Sequence, residues 1–188
     1  FLDEGARSEE AGPPLTKADL FAAGLSGGAD SGARRLALLS GLPLTHLDML
    51  FWNSDRTTVS KEEFRRRLDE VLQRERRLID GNYSGTMEHR MEHCQTIFFL
   101  DFPVETCLEG VRARKGKERP DMPWIEQGED PEFMEFIREF PEKRRPGILA
   151  LQEKYSEKHW VVFHSRGEEE AYLRGFQEGN LLEGSGQS

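Results

Sequence analysis

One glycine-rich stretch, residues 22–32, constrains the fold of this chain more than any other segment. It reads AAGLSGGADSG. An apolar run leads into it, and a segment with helical spacing, 33–40, follows it. Strand, glycine-rich turn and helix in this order form a phosphate cradle, because glycines let successive backbone N–H groups converge on one anion. The N-terminus of the following helix adds positive partial charge at the same point. The sequence therefore predicts an anion-binding turn that includes Gly24, Gly27 and Gly28.

This stretch departs from the usual phosphate-loop pattern, G-x-x-x-x-G-K-[ST], in its cation. No lysine occurs in residues 18–60. If Gly24 is the first glycine of the pattern, Asp30 stands at the lysine position and Ser31 at the hydroxyl position. The same register puts Ala29 at the position of the second glycine.

A second register follows from an ungapped alignment backwards from residues 41–43. It keeps Gly28 as the second glycine, with Ala29 at the lysine position and Asp30 at the hydroxyl position. In both registers the lysine is missing and a carboxylate lies where phosphate would bind. Because like charges repel, the sequence predicts an impaired phosphate cradle.

Composition narrows the classes of partner and compartment. A chain of 188 residues fits one domain, and its formal net charge of −9 argues against general binding to nucleic acids or anionic membranes. The two cysteines, Cys94 and Cys107, form no disulfide framework and no metal-ligand spacing, so we expect buried thiols in a cytoplasmic protein. No apolar run approaches the length that spans a bilayer.

Strand and helix patterns alternate along the chain. Strands are predicted at 18–23, 43–47, 77–80, 95–101 and 160–163. Helices are predicted at 33–40, 60–74, 84–92, from 104 into the following basic segment, at 133–140 with an interruption at Pro141, and at 168–176. This alternation indicates an α/β fold with a parallel sheet, helices on both faces, and ligands at the carboxyl ends of the strands. We expect a flexible arm at 1–16, one domain at 17–177 and a disordered tail at 178–188.

Three acidic residues follow predicted strands: Asp48, Asp80 and Asp101. Asp101 precedes Pro103, which suits a first helical turn, so a structural role is expected for it. If the strands before Asp48 and Asp80 flank the first strand, both carboxylates face one crevice. One carboxylate would then orient an acceptor hydroxyl or take its proton, and the other would hold a magnesium-bound water.

A basic run at 112–119 carries five cations in eight residues and leads into a loop at 120–130. Its simplest interpretation is a solvated helix end, where cations complement the helix dipole. The alternative is a mobile cationic flap that covers phosphates and neutralises charge on a transferred group. The combination of this run with an upstream glycine-rich turn favours the flap.

Aromatic and histidine side chains are less specific. Phe51, Trp52 and Trp124 are candidates for an acceptor pocket, although aromatics more often belong to a core or a pocket rim. His46 is interpreted as a strand residue. The other histidines, interpreted as lacking ligand spacing, are His89, His93, His159 and His164.

Three segments together resemble the adenylate-kinase-related P-loop proteins that are often labelled topology modulation proteins. The segments are GLPLTHLDMLFW at 41–52, IDGNYS at 79–84, and GVRARKGK with RPDMP between 110 and 123. The resemblance implies a three-layer α/β/α P-loop NTPase fold of the nucleoside/shikimate-kinase type, with five parallel strands. It also implies ATP and Mg²⁺ as cofactors and a lid at about 112–128.

The same resemblance assigns roles to individual positions. It implies that Asp48 meets the acceptor and that Arg166 lies beside the adenine. Ser31 and, indirectly, Asp80 are the implied Mg²⁺ contacts. The implied lid arginines are Arg112, Arg114 and Arg119. The implied cofactor-binding turn consists of Gly24, Gly27, Gly28, Ala29, Asp30 and Ser31. The implied acceptor contacts are Trp52, Asp80, Asn82 and Tyr83.

Two functions follow as hypotheses. The first is an ATP-dependent phosphotransferase for a nucleotide- or nucleoside-like small molecule, with an impaired phosphate loop. The second is a catalytically silent nucleotide-binding or regulatory domain, which the missing lysine favours. Neither hypothesis includes a nucleic-acid or membrane partner.

Overall fold

The computed structural model describes residues 15–22, 27–117, 122–125, 128 and 130–184, with side chains at 15–19, 32–117, 122–125, 128 and 130–176. Strands and helices alternate along it. The strands are β1 (Lys17–Ala22), β2 (Leu44–His46), β3 (Arg77–Asp80), β4 (Thr96–Leu100) and β5 (His159–Phe163). The helices are α1 (Gly27–Ser40), α2 (Leu47–Phe51), α3 (Lys61–Leu72), α4 (Ser84–Glu92), α5 (Val104–Arg114), α6 (Pro131–Lys143), α7 (Arg145–Lys154) and α8 (Arg166–Gly184).

The strands in the described part of the chain form one parallel sheet in the order β2-β3-β1-β4-β5. β1 lies at the centre, with Leu20 paired to Asp80 of β3 and Ala22 paired to Leu100 of β4. The carboxyl ends of all the strands therefore meet at one edge, where ligands of such sheets bind.

Side-chain alternation on β4 defines the three layers, because successive residues of a strand point to opposite faces. Phe98 and Leu100 pack with apolar residues of α1, α5 and α8. Ile97 and Phe99 pack instead with residues of α4 and α7. Helices thus cover both faces, and the predicted three-layer fold with a five-stranded parallel sheet is confirmed.

The predicted helix 60–74 is confirmed as α3, with one difference at its start. The Ser60 hydroxyl accepts a hydrogen bond from Glu63 N at 3.1 Å, as an N-cap should. The Glu63 carboxylate does not complete the predicted capping box. It accepts hydrogen bonds from Arg66 and Arg67 instead, which lowers its pKa to about 2.

Helix boundaries differ from the sequence prediction at several places. α1 begins at Gly27 rather than at 33, so part of the glycine-rich stretch is already helical. α2 and α7 were not predicted. α6 continues through Pro141 to Lys143, so this proline does not end the helix, although it removes one i→i−4 hydrogen bond.

The chain ends also differ from the predicted arm and tail. Thr16 belongs to the domain, since its carbonyl accepts a hydrogen bond from Arg77 N at 2.8 Å. α8 extends to Gly184, so the backbone at 178–184 is helical. Residues 1–14 and 185–188 lie outside the described residues. In the described part of the chain, no helix combines the length and apolar composition needed to cross a bilayer.

Candidate functional site

The glycine-rich stretch joins the carboxyl end of β1 to the start of α1. Gly24 lies outside the described residues. The backbone of Gly27, Gly28, Ala29, Asp30 and Ser31 forms the start of α1, and both sequence registers therefore put the missing lysine in the first turn of this helix.

Strand order corrects the expectation that the strands before Asp48 and Asp80 both flank β1. β3 pairs with β1, but β2 is an edge strand that pairs with β3. Asp80 therefore lies next to β1, whereas Asp48 lies one strand farther out, in the first turn of α2.

Asp80 is held by a histidine that the sequence interpretation left as a plain strand residue. His46 Nδ1 lies 2.8 Å from Asp80 Oδ2, and both side chains are buried. Because a carboxylate only accepts hydrogen bonds, a neutral His46 donates from Nδ1. This contact fixes the orientation of Asp80 beside the end of β1.

Asp101 fits the structural role expected for it. Its two carboxylate oxygens accept hydrogen bonds from Arg145 at 2.8–2.9 Å, and His164 Nδ1 lies 3.5 Å away. A bidentate arginine–carboxylate pair is both strong and directional. The pair ties the start of α7 to the end of β4.

A cavity of about 670 Å³ opens beside the ends of β2 and β3. Six residues that the sequence singled out line it: Asp48, Phe51, Trp52, Asn82, Tyr83 and Trp124. Asp80 is not among the lining residues, although Gly81 and Asn82, which follow it, are.

The remaining walls come largely from α6 and α7, which the sequence analysis did not connect with the site. They contribute Phe133, Phe136, Phe140, Lys143, Arg144, Gly147, Ile148 and Leu151. The apolar spacing of α6 predicted the helix, but that spacing does not distinguish a face on the core from a face on a cavity.

A hydrogen bond joins Asp48 to Tyr83 in the cavity wall. The Tyr83 hydroxyl donates to Asp48 Oδ1 at 2.5 Å. Burial, the nearby Asp48 charge and this hydrogen bond raise the pKa of Tyr83 above its usual range, so the phenol stays protonated at physiological pH. Tyr83 therefore orients the Asp48 carboxylate as a permanent donor.

The loop that carries Tyr83 has an unusual backbone. Tyr83 itself lies in the left-handed region with φ 37°. Gly81 has φ 145°, and a Cβ there would lie 2.9 Å from the Leu47 Cβ atom. The first residues of α2 thus press directly on this loop, and Gly81 is required for that close approach.

A buried arginine, Arg90 of α4, holds the same loop from behind. Its guanidinium donates to the Gly81 carbonyl at 3.1 Å, to the Asn82 carbonyl, and to Thr86 Oγ1 at 3.2 Å. It also reaches Asp19 Oδ1 of β1 at 3.4 Å, and both Arg90 and Asp19 are almost fully buried. Asp19, an acid within the first buried strand, is the sequence signal for this pair, and the sequence-based prediction did not include it.

The predicted lid arginines lie in different environments. Arg112 is exposed on α5. Arg114 is buried, and its guanidinium lies 6.0 Å from the centre of the Phe133 ring. This packed position differs from the mobile flap that the sequence predicted for Arg114. Arg119 lies outside the described residues. Farther along the predicted lid, the Trp124 ring packs edge-on against Trp52 at 5.2 Å.

Arg166 begins α8, with its guanidinium 5.7 Å from the centre of the Phe102 ring. One turn along, Glu169 is buried and packs so closely on Gly32 that a Cβ there would overlap its carboxylate. Burial raises the pKa of Glu169 to about 7, although the charges of Arg166 and Arg35 oppose the shift.

This raised pKa predicts that the protein loses stability as the pH rises. The folded chain binds the Glu169 proton more tightly than the unfolded chain, so the stabilisation is present below about pH 4 and is lost by about pH 7. Unfolding by urea at pH 5 and pH 8 measures the effect. Glutamine has no titrating carboxyl, so between these pH values the free energy of unfolding of Glu169→Gln should gain about 1–2 kcal/mol relative to that of wild type. This figure is discounted for solvent screening. The exposed Glu109→Gln control should show no such gain.

Comparison with solved structures supports the fold described above. No family model and no curated protein matches this sequence. Solved structures do match. A shikimate kinase from Bacteroides thetaiotaomicron has a TM-score of 0.54 and 23% identity, over 89% of this chain and 98% of its own. The chain has the fold of the P-loop kinases.

Two further structures with this P-loop kinase fold cover nearly the same length. A shikimate kinase from Acinetobacter baumannii, solved with shikimate, has a TM-score of 0.56 and 17% identity, over 90% of this chain and 96% of its own. A gluconokinase from Sinorhizobium meliloti 1021 has a TM-score of 0.53 and 13% identity, over 92% and 99%. At such identities the likeness concerns the fold.

Proposed function

We propose that this chain is an ATP-dependent phosphotransferase that phosphorylates a hydroxyl group of a planar, nucleoside- or nucleotide-like compound. One observation carries the proposal. In a P-loop kinase fold, the Asp48 carboxylate lines an aromatic cavity and is oriented there by the Tyr83 hydroxyl. We further propose that the chain is related to the topology modulation proteins, through the three segments named above.

The lining of the cavity supports a planar acceptor. Seven aromatic side chains of the described residues line it: Phe51, Trp52, Tyr83, Trp124, Phe133, Phe136 and Phe140. Aromatic rings bind other flat rings by stacked or edge-on contacts. A nucleobase satisfies this lining better than a polyhydroxylated acid such as shikimate or gluconate, which needs polar groups around its whole rim.

Two features around the carboxyl end of β1 support a site for ATP and Mg²⁺. The start of α1 lies directly after the central strand, and a helix N-terminus attracts phosphate. Asp80 offers a carboxylate, the class of ligand that Mg²⁺ prefers, and would hold the ion through water. Bound Mg²⁺-ATP would supply the phosphoryl group and neutralise part of its charge. Arg166, at the start of α8, would lie beside the adenine.

In the proposed reaction, Asp48 is the proton acceptor, which its place in the cavity wall and its carboxylate support. The acceptor hydroxyl would donate a hydrogen bond to the Asp48 carboxylate, which takes the proton as the oxygen–phosphorus bond forms and the bond to the ADP oxygen breaks. The Tyr83 donor holds the carboxylate in place while this happens. Arg112 and Arg119, with the neighbouring lysines, would neutralise charge on the transferred group.

The altered glycine-rich stretch favours a second candidate function, a catalytically silent nucleotide-binding or regulatory domain. The lysine of the usual pattern is absent, and Asp30 brings a negative charge to the phosphate position. Removal of one preorganised donor to a developing charge costs about 10²- to 10³-fold in rate. Such a domain would bind nucleotide without turnover.

A panel assay separates the two functions. ADP release from Mg²⁺-ATP is measured with nucleosides, nucleoside monophosphates, shikimate and gluconate as acceptors, and products are identified by mass. We expect phosphorylation of a nucleoside or nucleotide. ATP binding without transfer to any acceptor would favour the silent domain, and phosphorylation of shikimate alone would overturn the planar-acceptor proposal.

Tyr83→Phe tests the orientation of the carboxylate. Loss of the hydrogen bond to Asp48 should lower kcat/KM at least about tenfold, because a hydrogen bond to a charged group contributes about 1.5–3 kcal/mol. Steady-state kinetics on the acceptor found above measure this. Tyr155→Phe is the matched control, since its hydroxyl lies 3.0 Å from Glu88 outside the cavity. Equal kinetics for both variants would contradict the role of Tyr83.

A further inference from the structure

We propose that the C-terminal end of α4 binds a divalent transition-metal ion of the zinc class through His89, Glu92 and His93. One ligand atom from each residue lies within 4.8 Å of the other two. This site lies outside the cavity described above, and its existence does not depend on the proposed function.

Helical spacing brings the three side chains together. His89, Glu92 and His93 stand at i, i+3 and i+4, positions that share one helix face. The two imidazole rings lie 4.9 Å apart between their centres. The sequence interpretation that these histidines lack ligand spacing is therefore corrected, because i and i+4 on a helix form a metal-binding pair.

Hydrogen bonds prepare both imidazoles as ligands. His93 Nδ1 lies 2.9 Å from the His89 carbonyl, and His89 Nε2 lies 2.8 Å from Asp69 Oδ1. Both partners only accept, so each of these nitrogens carries the proton in the neutral ring. The other nitrogens, His89 Nδ1 and His93 Nε2, then have lone pairs for a metal.

This arrangement is the one that metal-binding histidines usually have. The ring nitrogen that does not bind the ion donates to a carboxylate or a carbonyl, which orients the ring and raises its basicity. Asp69 of α3 supplies the carboxylate, and the backbone of α4 supplies the carbonyl.

The donor set indicates the class of ion. Two imidazoles and one carboxylate suit Zn²⁺, Co²⁺, Ni²⁺ or Cu²⁺ rather than Mg²⁺ or Ca²⁺, which prefer oxygen. Glu92 and His93 are exposed and His89 is half-buried, so an ion can enter from solvent. Three protein ligands leave a further position for water.

The test is Zn²⁺ binding by isothermal titration calorimetry, with the untagged full-length protein in a buffer that does not chelate metal. We expect one ion per chain. His93→Ala should weaken binding at least about tenfold, and Asp69→Ala, which removes the acceptor of the His89 N–H, should weaken it about 10- to 100-fold by loss of the ring orientation. His159→Ala is the control, because this exposed histidine lies on β5. It should bind like wild type.

Circular dichroism of the metal-free variants separates lost binding from lost folding. His93 is exposed, so its replacement should leave the spectrum and melting temperature unchanged. Absence of saturable Zn²⁺ binding by wild type, undiminished binding by His93→Ala, or equal loss in His159→Ala would each overturn the proposal.

Discussion

Asp48→Asn is expected to abolish phosphoryl transfer while leaving the fold and the binding of ATP intact. Asparagine keeps the size of the side chain, and its amide oxygen still accepts the hydrogen bond from the Tyr83 hydroxyl. In the wild-type protein this hydroxyl lies 2.5 Å from Asp48 Oδ1. It has no basic carboxylate to take the acceptor proton. General-base catalysis contributes about 10²- to 10⁴-fold, and kcat should fall by this factor.

Initial rates at saturating Mg²⁺-ATP and acceptor measure this effect. Glu153→Gln is the control because this acid is exposed on α7 and outside the cavity, and its rate should match that of wild type. The melting temperature of Asp48→Asn should stay close to that of wild type. A variant that retains more than about a tenth of the wild-type kcat would contradict the role of Asp48 as base.

Arg90→Met is expected to destabilise the protein more than any other single substitution considered. It removes the cation 3.4 Å from the buried Asp19 carboxylate, and it removes the hydrogen bonds that Arg90 donates to the carbonyl groups of Gly81 and Asn82. Breaking a buried ion pair by removal of one partner costs about 3–5 kcal/mol. That is a large part of the total stability of a domain, typically about 5–15 kcal/mol.

Urea unfolding of two further variants shows whether the buried charge is the cause. Asp19→Asn combined with Arg90→Met removes both charges, so the double variant should recover at least about 1 kcal/mol relative to Arg90→Met. Arg138→Met removes an exposed ion pair with Glu135 and should cost less than about 1 kcal/mol. If Arg90→Met costs no more than this control, the pair is not a source of stability.

The parts of the fold that local pattern determines were predictable. β4 is a nearly continuous apolar run, TIFFL, and is buried on both faces as a central parallel strand should be. α3 combines a serine N-cap with apolar residues at helical spacing. The alternation of such elements was sufficient to predict the layered α/β fold.

Features that depend on tertiary packing were not predictable. α2 has only five residues, and the apolar residues of α7 fall together at 148–151, so neither helix shows a helical period in the sequence. The strand order, with β2 at the edge, is set by how the connections cross the sheet. The Asp19–Arg90 pair joins residues 71 positions apart, and a single sequence shows an acid in a buried strand but not which cation pairs with it.

The candidate site likewise has residues whose place was predictable from the sequence and residues whose place was not. Asp48, Asn82 and Tyr83 follow strands or begin helices, and the fold brings such positions to one edge of the sheet. Trp52 follows the short helix α2 and lines the same cavity. Sequence position does not decide which way a side chain points. Arg114, expected in a cationic lid, is buried against Phe133, because α5 turns that face towards α6.

The most direct test of the central claim is the binding of Mg²⁺-ATP, measured by isothermal titration calorimetry with the intact mass checked on the same sample. We predict saturable binding, which would mean that the backbone at the start of α1 and the cations of the lid bind the phosphates without the lysine. If the mass confirms Ala29 and Asp30 and no heat of binding appears, the phosphate site does not function. The P-loop kinase fold would then describe the architecture of this chain and not its activity.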